Sequence, residues 1–494
     1  MSARVYHISD VTRWLRCPRM FRLDHDLGKA PYQQFLRMDE KITDLAMEKL
    51  SIQSCFIGQR GDDPEKAMQA LESEEWLVKA RFEYHGLRVK VPFLHRTEHG
   101  WDLYFLLVGL LPKAPDPTFY TATLWVLEGC GIPVGRISII HLNGDYVRQG
   151  ALDTDALFVI GDHFYNERSH PAGEVETVLR DQMRDYDAVL KDMDRTLQTP
   201  LAEPVRSGKC TGRVKCRFFD ACFGEDREPD ASIVHLTGSR YRYDMRDEGR
   251  LYLRDADPAR IEGTAQQYAE IMADRMGGLY ADKAALRSWL SDLEYPLTFI
   301  DFEWERFAVP PYEGMRPYDV LLFEYAMDIV QKDGSREHKV FLDVHDDREA
   351  LVRSLLADIP EQGSIIAYNA VGAEMIRIGE LAEQLPEYAG DLLALNERMK
   401  DLQQPFENGM IYDIRMRGQW SLKTIMSLMD DPGYRELDIR HGMDAVYQWR
   451  YLDRDAEDVD RERIIEELKA YCGMDSYAMT VVCRWLYEAA GLTM

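Results

Sequence analysis

The pattern of hydrophobic and polar positions divides this chain into three zones. In residues 1–235 they predict a helix over Asp10–Arg22, with Asp10 as its N-cap, and a later helix over Glu174–Leu197. Between these helices, strands are predicted in LRVKVPFL, WDLYFLLVGLL and GRISIIHL. Residues 236–290 are charged and mostly helical in pattern, which is typical of a connector.

Residues 291–494 alternate predicted strands with predicted helices. The strands are LTFIDFEW, LLFEYAMDIV, EHKVFLDV and SIIAYN, and the helices are Arg348–Asp358, Ala373–Glu383 and Arg461–Glu488. This order predicts an α/β domain with a mixed sheet flanked by helices. We therefore divide the 494 residues into a first domain (1–235), a helical connector (236–290) and a second domain (291–494).

Composition and charge narrow the class of protein. The chain is 46% hydrophobic, which is enough to build cores, and its longest apolar run, Leu103–Leu111, is too short to span a membrane. Met1–Arg19 lacks the apolar segment of a signal peptide, so we expect a cytoplasmic protein with no membrane partner. The net charge of −26 argues against a nonspecific nucleic-acid coat, although an acidic chain can still bind metal ions that screen phosphates.

Candidate chemistry is concentrated in the last zone. Asp301 and Glu303 follow a predicted buried strand two residues apart, so both side chains should lie on one face. Two such carboxylates are costly without a partner, and a divalent cation is the natural one. Alone, the pair is a weak signal, because such a pair is more often an acidic strand end that faces solvent.

Two further segments carry candidate ligands. Glu374 lies in the first part of a predicted helix after SIIAYN, and Tyr471 and Asp475 lie four residues apart on the last predicted helix, hence on one face. Taken alone, the Tyr-x-x-x-Asp spacing is more typical of a chance pair on an amphipathic helix.

Four of the eight cysteines form a second candidate site. Cys210, Cys216 and Cys222 are spaced C-x5-C-x5-C in a short basic and aromatic stretch, which is typical of metal or cluster ligation rather than of isolated core cysteines. In a cytosolic chain disulfides are not expected.

The acidic segments together resemble the DEDD exonucleases of the RNase H-like (DnaQ-like) superfamily, the group of RNase D and polymerase proofreading domains. Asp301, Glu303 and Asp475 match that family's acids in type and order, and Ala470 stands where the His class has histidine, so Tyr471 indicates the Tyr class. The resemblance covers residues 291–494 and includes the Ser-Leu-Lys motif at 421–423. It implies an RNase H-like fold and a 3′–5′ exonuclease that uses two Mg²⁺ or Mn²⁺ ions on the single-stranded 3′ end of DNA or RNA.

The resemblance also implies a role for each residue. Asp301 would bridge the metals, Glu303, Glu374 and Asp475 would complete their ligand shells, and Tyr471 would orient the attacking water. One departure is that the family's second-motif acid would fall at Ala373, one residue before Glu374. We favour Glu374 as the ligand and keep Asp401 in reserve; the alternative is that this acid is lost and the site is crippled.

The first zone resembles the RecB/AddB-type iron–sulfur nucleases, whose fold is PD-(D/E)XK-like α/β. The motif WLRCPRMFRL places Cys17 far ahead of the other three cysteines, as in that family, and implies a 4Fe–4S cluster on Cys17, Cys210, Cys216 and Cys222, with zinc as the alternative. The nuclease positions look degenerate, because they fall at Pro92, Phe105, Leu107 and Thr123.

The whole chain therefore resembles an uncharacterised bacterial RecB-like family fused to an RNase H-like domain. We expect an exonuclease with an inactive nuclease-like domain for binding or scaffolding. Two alternatives stay open, a catalytically inactive nucleic-acid-binding module and a structural subunit with protein partners in a repair or defence complex.

Overall fold

The computed structural model describes residues 4–28, 38–113, 116–211, 215–224, 228–429, 431, 433–436, 439, 442–453, 456–457 and 459–494. The chain forms two compact units. Unit 1 comprises residues 1–225 and 307–318, and unit 2 comprises residues 226–306 and 319–494. The predicted connector, 236–290, thus lies within unit 2.

Unit 1 contains a mixed sheet with helices packed on it. Its described strands are β1 (Tyr6–His7), β2 (Phe56–Ile57), β3 (Trp76–Tyr84), β4 (Leu87–Thr97), β5 (Gly100–Leu107), β6 (Val134–Leu142), β7 (Phe158–Gly161), β8 (His163–Tyr165) and β9 (Pro171–Glu174). The described helices are α1 (Ile8–Arg16), α2 (Pro18–Leu27), α3 (Met38–Lys49), α4 (Pro64–Ser73), α5 (Thr118–Gly129), α6 (Thr154–Leu157), α7 (Val175–Asp181), α8 (Tyr186–Gln198) and α9 (Phe219–Phe223). The strand order is β2-β3-β4-β5-β6-β7, with β1 added in parallel to the start of β4.

The single helix predicted over Asp10–Arg22 is wrong. Cys17 interrupts it in an extended conformation, because a residue that precedes proline, here Pro18, is pushed out of the helical region. Asp10 is not the N-cap either: it lies in the first turn of α1, and its carboxylate accepts a 2.9 Å hydrogen bond from the backbone N–H of His7. The break leaves Cys17 between two helices rather than on the side of one.

Unit 2 contains a five-stranded mixed sheet between two layers of helices. Its described strands are β10 (Leu279–Ala281), β11 (Leu297–Arg306), β12 (Val320–Val330), β13 (Arg336–Leu342), β14 (Ile365–Ala367), β15 (Met399–Asp401) and β16 (Ile411–Asp413). The described helices are α10 (Arg242–Asp247), α11 (Ala265–Arg275), α12 (Lys283–Ser291), α13 (Arg348–Asp358), α14 (Glu374–Gln384), α15 (Ala389–Glu397), α16 (Gln404–Glu407), α17 (Leu422–Met426), α18 (Gly442–Asp453) and α19 (Arg461–Ala490). The sheet order is β13-β12-β11-β14-β15. The pairs β13–β12 and β12–β11 are antiparallel, and the pairs β11–β14 and β14–β15 are parallel.

Successive side chains of β11 point to opposite faces of the sheet and pack in two separate hydrophobic clusters. Phe299 packs in the cluster with Leu286, Met479 and Leu486 of α12 and α19, whereas Ile300 packs on the opposite face with α13 and α14. Helix α19 is fixed at both ends, because the Asp460 carboxylate accepts a hydrogen bond from the N–H of Arg463 and Gly491 ends the helix in the left-handed region. The predicted α/β class with mixed sheets flanked by helices is confirmed.

No helix in the described part of the chain is long and apolar enough to cross a membrane.

Candidate functional site

Three of the sequence-predicted acids meet in unit 2. Asp301 and Glu303 lie on β11, on the same face as Phe299, and Asp475 lies on α19, which packs over that face. One carboxylate oxygen from each lies within 4.8 Å of the other two, and this is the group among the described residues that could hold a metal ion. Glu303 and Asp475 are buried, while Asp301 keeps some contact with solvent.

Glu374 lies near these three acids but outside their 4.8 Å group. It is the first residue of α14 and is 3% exposed, and its Oε2 atom has no hydrogen-bond partner. The preceding turn has Asn369 in the left-handed region and Gly372 where a Cβ would lie 2.4 Å from the Asn369 Oδ1 atom. A side chain at 372 would therefore displace the Asn369 amide.

Asp401, the reserve candidate, has a different task. Its Oδ1 atom accepts 2.9 Å hydrogen bonds from the backbone N–H groups of Asn369 and Gln403, and its Oδ2 atom accepts one from Val371 at 3.3 Å. Both oxygens are thus used to build the turn before Glu374. Asp401 acts on the acid cluster by shaping this turn and by its charge.

Burial and mutual repulsion disfavour ionisation of the acids. Burial and then the charges of Asp475 and Glu303 raise the pKa of Asp301 well above its usual range. Burial raises the pKa of Glu374 to about 8, with Asp401 adding to the shift. A divalent cation would reverse this penalty, because it stabilises the charged form of every carboxylate around it.

Tyr471 faces the same acid cluster, where two residues without a predicted role, Lys423 and Tyr434, also lie. Its hydroxyl oxygen accepts a 2.8 Å hydrogen bond from Lys423 Nζ. Tyr434, from a 3₁₀ turn at Gly433–Glu436, donates a hydrogen bond to Asp475 Oδ1. The Ser-Leu-Lys motif drew attention to Lys423, but Tyr434 carries no local signal that could have identified it.

Two more buried groups adjoin the acids. Glu324 on β12 is paired directly with Glu303, is fully buried, and has neither carboxylate oxygen hydrogen-bonded, and burial raises its pKa to about 8. The Cys472 thiol is buried and contacts Asp301 Oδ2 at 3.7 Å. A lone acid inside the apolar segment LLFEYAMDIV was the available signal for Glu324.

The four predicted cysteine ligands lie in unit 1 around one cavity of about 450 Å³. Cys17 reaches it from the break between α1 and α2, and Cys210, Cys216 and Cys222 reach it from the segment around α9. No three of these sulfurs come within 4.8 Å of one another.

The cavity is also positively charged. Arg16, Arg19 and Lys209 line it, and Arg19 Nε donates a 3.3 Å hydrogen bond to Cys222 Sγ.

The predicted nuclease positions of unit 1 fall in its core. Phe105 and Thr123 are fully buried, and the Thr123 hydroxyl donates to the carbonyl of Phe119. Pro92 and Leu107 are partly buried on β4 and β5. Within the part of unit 1 that the structure describes, no three acids come together as a metal-binding group.

Comparison with known families assigns no activity. Residues 298–421 match a family described as a domain of unknown function (DUF2779). This match includes Asp301, Glu303 and Glu374 and ends before Tyr471 and Asp475. No curated protein matches the chain.

Proposed function

We propose that unit 2 is a metal-dependent 3′–5′ exonuclease that hydrolyses phosphodiester bonds of DNA or RNA, using Mg²⁺ or Mn²⁺. The observation that carries this proposal is the convergence of Asp301, Glu303 and Asp475 within 4.8 Å. The sheet order β13-β12-β11-β14-β15, with acids on its central strand, is also that of the RNase H-like fold to which the sequence is similar.

The residues fit a pair of divalent cations. All four acids offer hard oxygen ligands, which Mg²⁺ and Mn²⁺ prefer, and the Oε2 atom of Glu374 is buried without a hydrogen-bond partner. Asp301, Glu303, Glu374 and Asp475 would hold the ions, whose bound form supplies an activated water and stabilises the leaving oxygen. Tyr471 orients that water from the rim of the cluster. Single-stranded 3′ ends are the proposed substrate, and nucleoside 5′-monophosphates are the products.

For unit 1 we propose a cluster-stabilised domain without nuclease activity. A single zinc ion would hold four thiolate sulfurs about 3.8 Å apart, as tetrahedral Zn–S bonds of ~2.3 Å require. The four cysteines line one cavity of about 450 Å³, and the arrangement of one early and three clustered cysteines, which resembles the RecB/AddB-type nucleases, favours a 4Fe–4S cluster. Arg16, Arg19 and Lys209 suit the negative charge of such a cluster. We also propose that this domain binds nucleic acid or protein partners of a repair or defence complex in the cytoplasm.

The experiment follows a single-stranded oligonucleotide, DNA or RNA, labelled at either its 3′ or its 5′ end. With Mn²⁺ we expect the 3′ label to be released first as a mononucleotide, and EDTA should stop the reaction. Asp301→Asn removes one charge at almost constant shape and should abolish hydrolysis. Asp333→Asn, in the exposed turn between β12 and β13, is the matched control and should behave as wild type.

Several results would contradict the proposal. Activity that persists in Asp301→Asn would place the chemistry elsewhere. Products that arise from the 5′ end or from internal cleavage would contradict the direction of hydrolysis. Complete inactivity of the wild type with metal would favour the inactive binding module or scaffold.

A further inference from the structure

We propose that Lys423 is a positioning residue of the acid site: it fixes the hydroxyl of Tyr471 by donating a hydrogen bond to it. This inference rests on the proposed exonuclease function. It concerns a residue that lies outside the residues matched to the known family, which end at Ser421.

The position of Lys423 is set by a short, well-capped helix. The Ser421 hydroxyl accepts a 3.2 Å hydrogen bond from the N–H of Thr424 and begins α17, and Leu422 is buried beside it. From this helix the Lys423 ammonium lies 4.6 Å from the ring centre of Tyr471 and 4.9 Å from that of Tyr434. Cation–π contacts with two rings leave the ammonium few other positions.

The hydrogen bonds around Tyr471 have one consistent direction. Lys423 donates to the Tyr471 oxygen, so the phenol must donate its own hydrogen away from the lysine. Asp475, one turn further along α19, lies on the same face of the helix as Tyr471. Tyr434 is already engaged with Asp475 Oδ1, so Tyr471 is the phenol that can turn its hydrogen toward a water among the acids. Without Lys423, the Tyr471 hydroxyl could rotate and lose this orientation.

The test uses the full-length protein and four variants. Lys423→Met keeps the length of the side chain and removes its charge, Lys423→Gln is a second neutral variant in case methionine disturbs folding, and Lys423→Arg restores a charged donor. Lys332→Met, in the exposed turn after β12, is the matched control. Mn²⁺ affinity is measured by calorimetric titration without substrate, and kcat and KM are measured on a 3′-labelled strand.

We expect Lys423→Met and Lys423→Gln to remain folded and to bind Mn²⁺. Their kcat should fall by about tenfold to a hundredfold, with KM within about twofold of wild type. Lys423→Arg should recover most of the kcat, and Lys332→Met should match wild type in both assays.

Three results would overturn the inference. One is an unchanged kcat in folded neutral variants, and another is a loss of Mn²⁺ binding, which would mean that Lys423 acts through the metal site rather than through Tyr471. The third is a rise in KM alone, which would make Lys423 a substrate contact. If Asp301→Asn abolishes hydrolysis but the Lys423 variants do not slow it, only this inference fails; if wild type shows no hydrolysis, the proposed function fails and this inference with it.

Discussion

Glu374→Gln should stabilise the metal-free protein, and more strongly as the pH rises. In the folded chain Glu374 is 3% exposed and its pKa is about 8, compared with 4.5 for an ordinary glutamate. The folded state therefore binds the Glu374 proton more tightly than the unfolded chain does. The stability that this group contributes is complete below about pH 4.5 and is lost as the pH rises through about 8. Glutamine does not titrate, so the variant should escape this loss.

The size of the effect follows from the pKa shift. Each pH unit between the unfolded and folded pKa values changes the free energy of unfolding by about 1.4 kcal/mol. Between pH 5.5 and pH 8, wild type should therefore lose about 3 kcal/mol relative to Glu374→Gln. The comparison of two proteins in the same buffer cancels the pH dependence of the groups that Glu374 does not influence. Asp301 and Glu303, whose pKa values the Glu374 charge raises, ionise more readily in the variant and add to the difference in the same direction.

Thermal unfolding in EDTA, followed at several pH values, measures this difference. The melting temperatures of wild type and Glu374→Gln should diverge by several degrees toward pH 8, and saturating Mn²⁺ should raise the wild-type value more than that of the variant. Parallel pH profiles would refute the reasoning, because Glu374 would then be ionised without cost. A variant that is less stable than wild type at pH 8 would refute it as well.

Three other substitutions separate the roles of nearby residues. Tyr434→Phe removes the hydrogen bond to Asp475 and should weaken Mn²⁺ binding about tenfold in a calorimetric titration, with an unchanged circular dichroism spectrum. Asp401→Ala leaves three backbone N–H groups without their acceptor, so the free energy of unfolding in EDTA should fall by about 2–4 kcal/mol; a loss confined to the metal-bound protein would instead make Asp401 a ligand. Cys216→Ser should lower the iron content and the absorption near ~400 nm of anaerobically purified protein while Mn²⁺ binding stays intact, and colourless wild-type protein with one zinc per chain would contradict the cluster.

Residue spacing within a single strand or helix predicted which side chains of the site share a face. The two-residue spacing of Asp301 and Glu303 placed them on one face of a strand, and the four-residue spacing of Tyr471 and Asp475 placed them on one face of a helix. Strand and helix segments of residues 291–494 were found for the same reason, since their hydrophobic periods are long and regular. Their convergence was predicted only through resemblance to a family.

Contacts between segments that are distant along the chain could not be predicted from the sequence. Tyr434 reaches Asp475 from an irregular turn, and Glu324 meets Glu303 only through strand pairing, which no local period specifies. The prediction of one helix over Asp10–Arg22 failed for a local reason. The apolar periodicity continues across Cys17–Pro18, but the residue before a proline is disfavoured in a helix, so the helix breaks there.

The acids remain together without metal because the surrounding core fixes their positions. Asp301 follows Phe299 and Ile300, which are fully buried on opposite faces of the sheet, so the strand cannot rotate to release the carboxylate. Asp475 lies on α19 between Cys472 and Met479, both fully buried, so the helix is held in the same way. Burial therefore raises the pKa values of Asp301 and Asp475, with the charges of Asp475 and Glu303 adding to the rise for Asp301, and proton uptake rather than movement relieves the cost. A site held in this way is preorganised for cations, and binding of the metal ions should release protons instead of rearranging the fold.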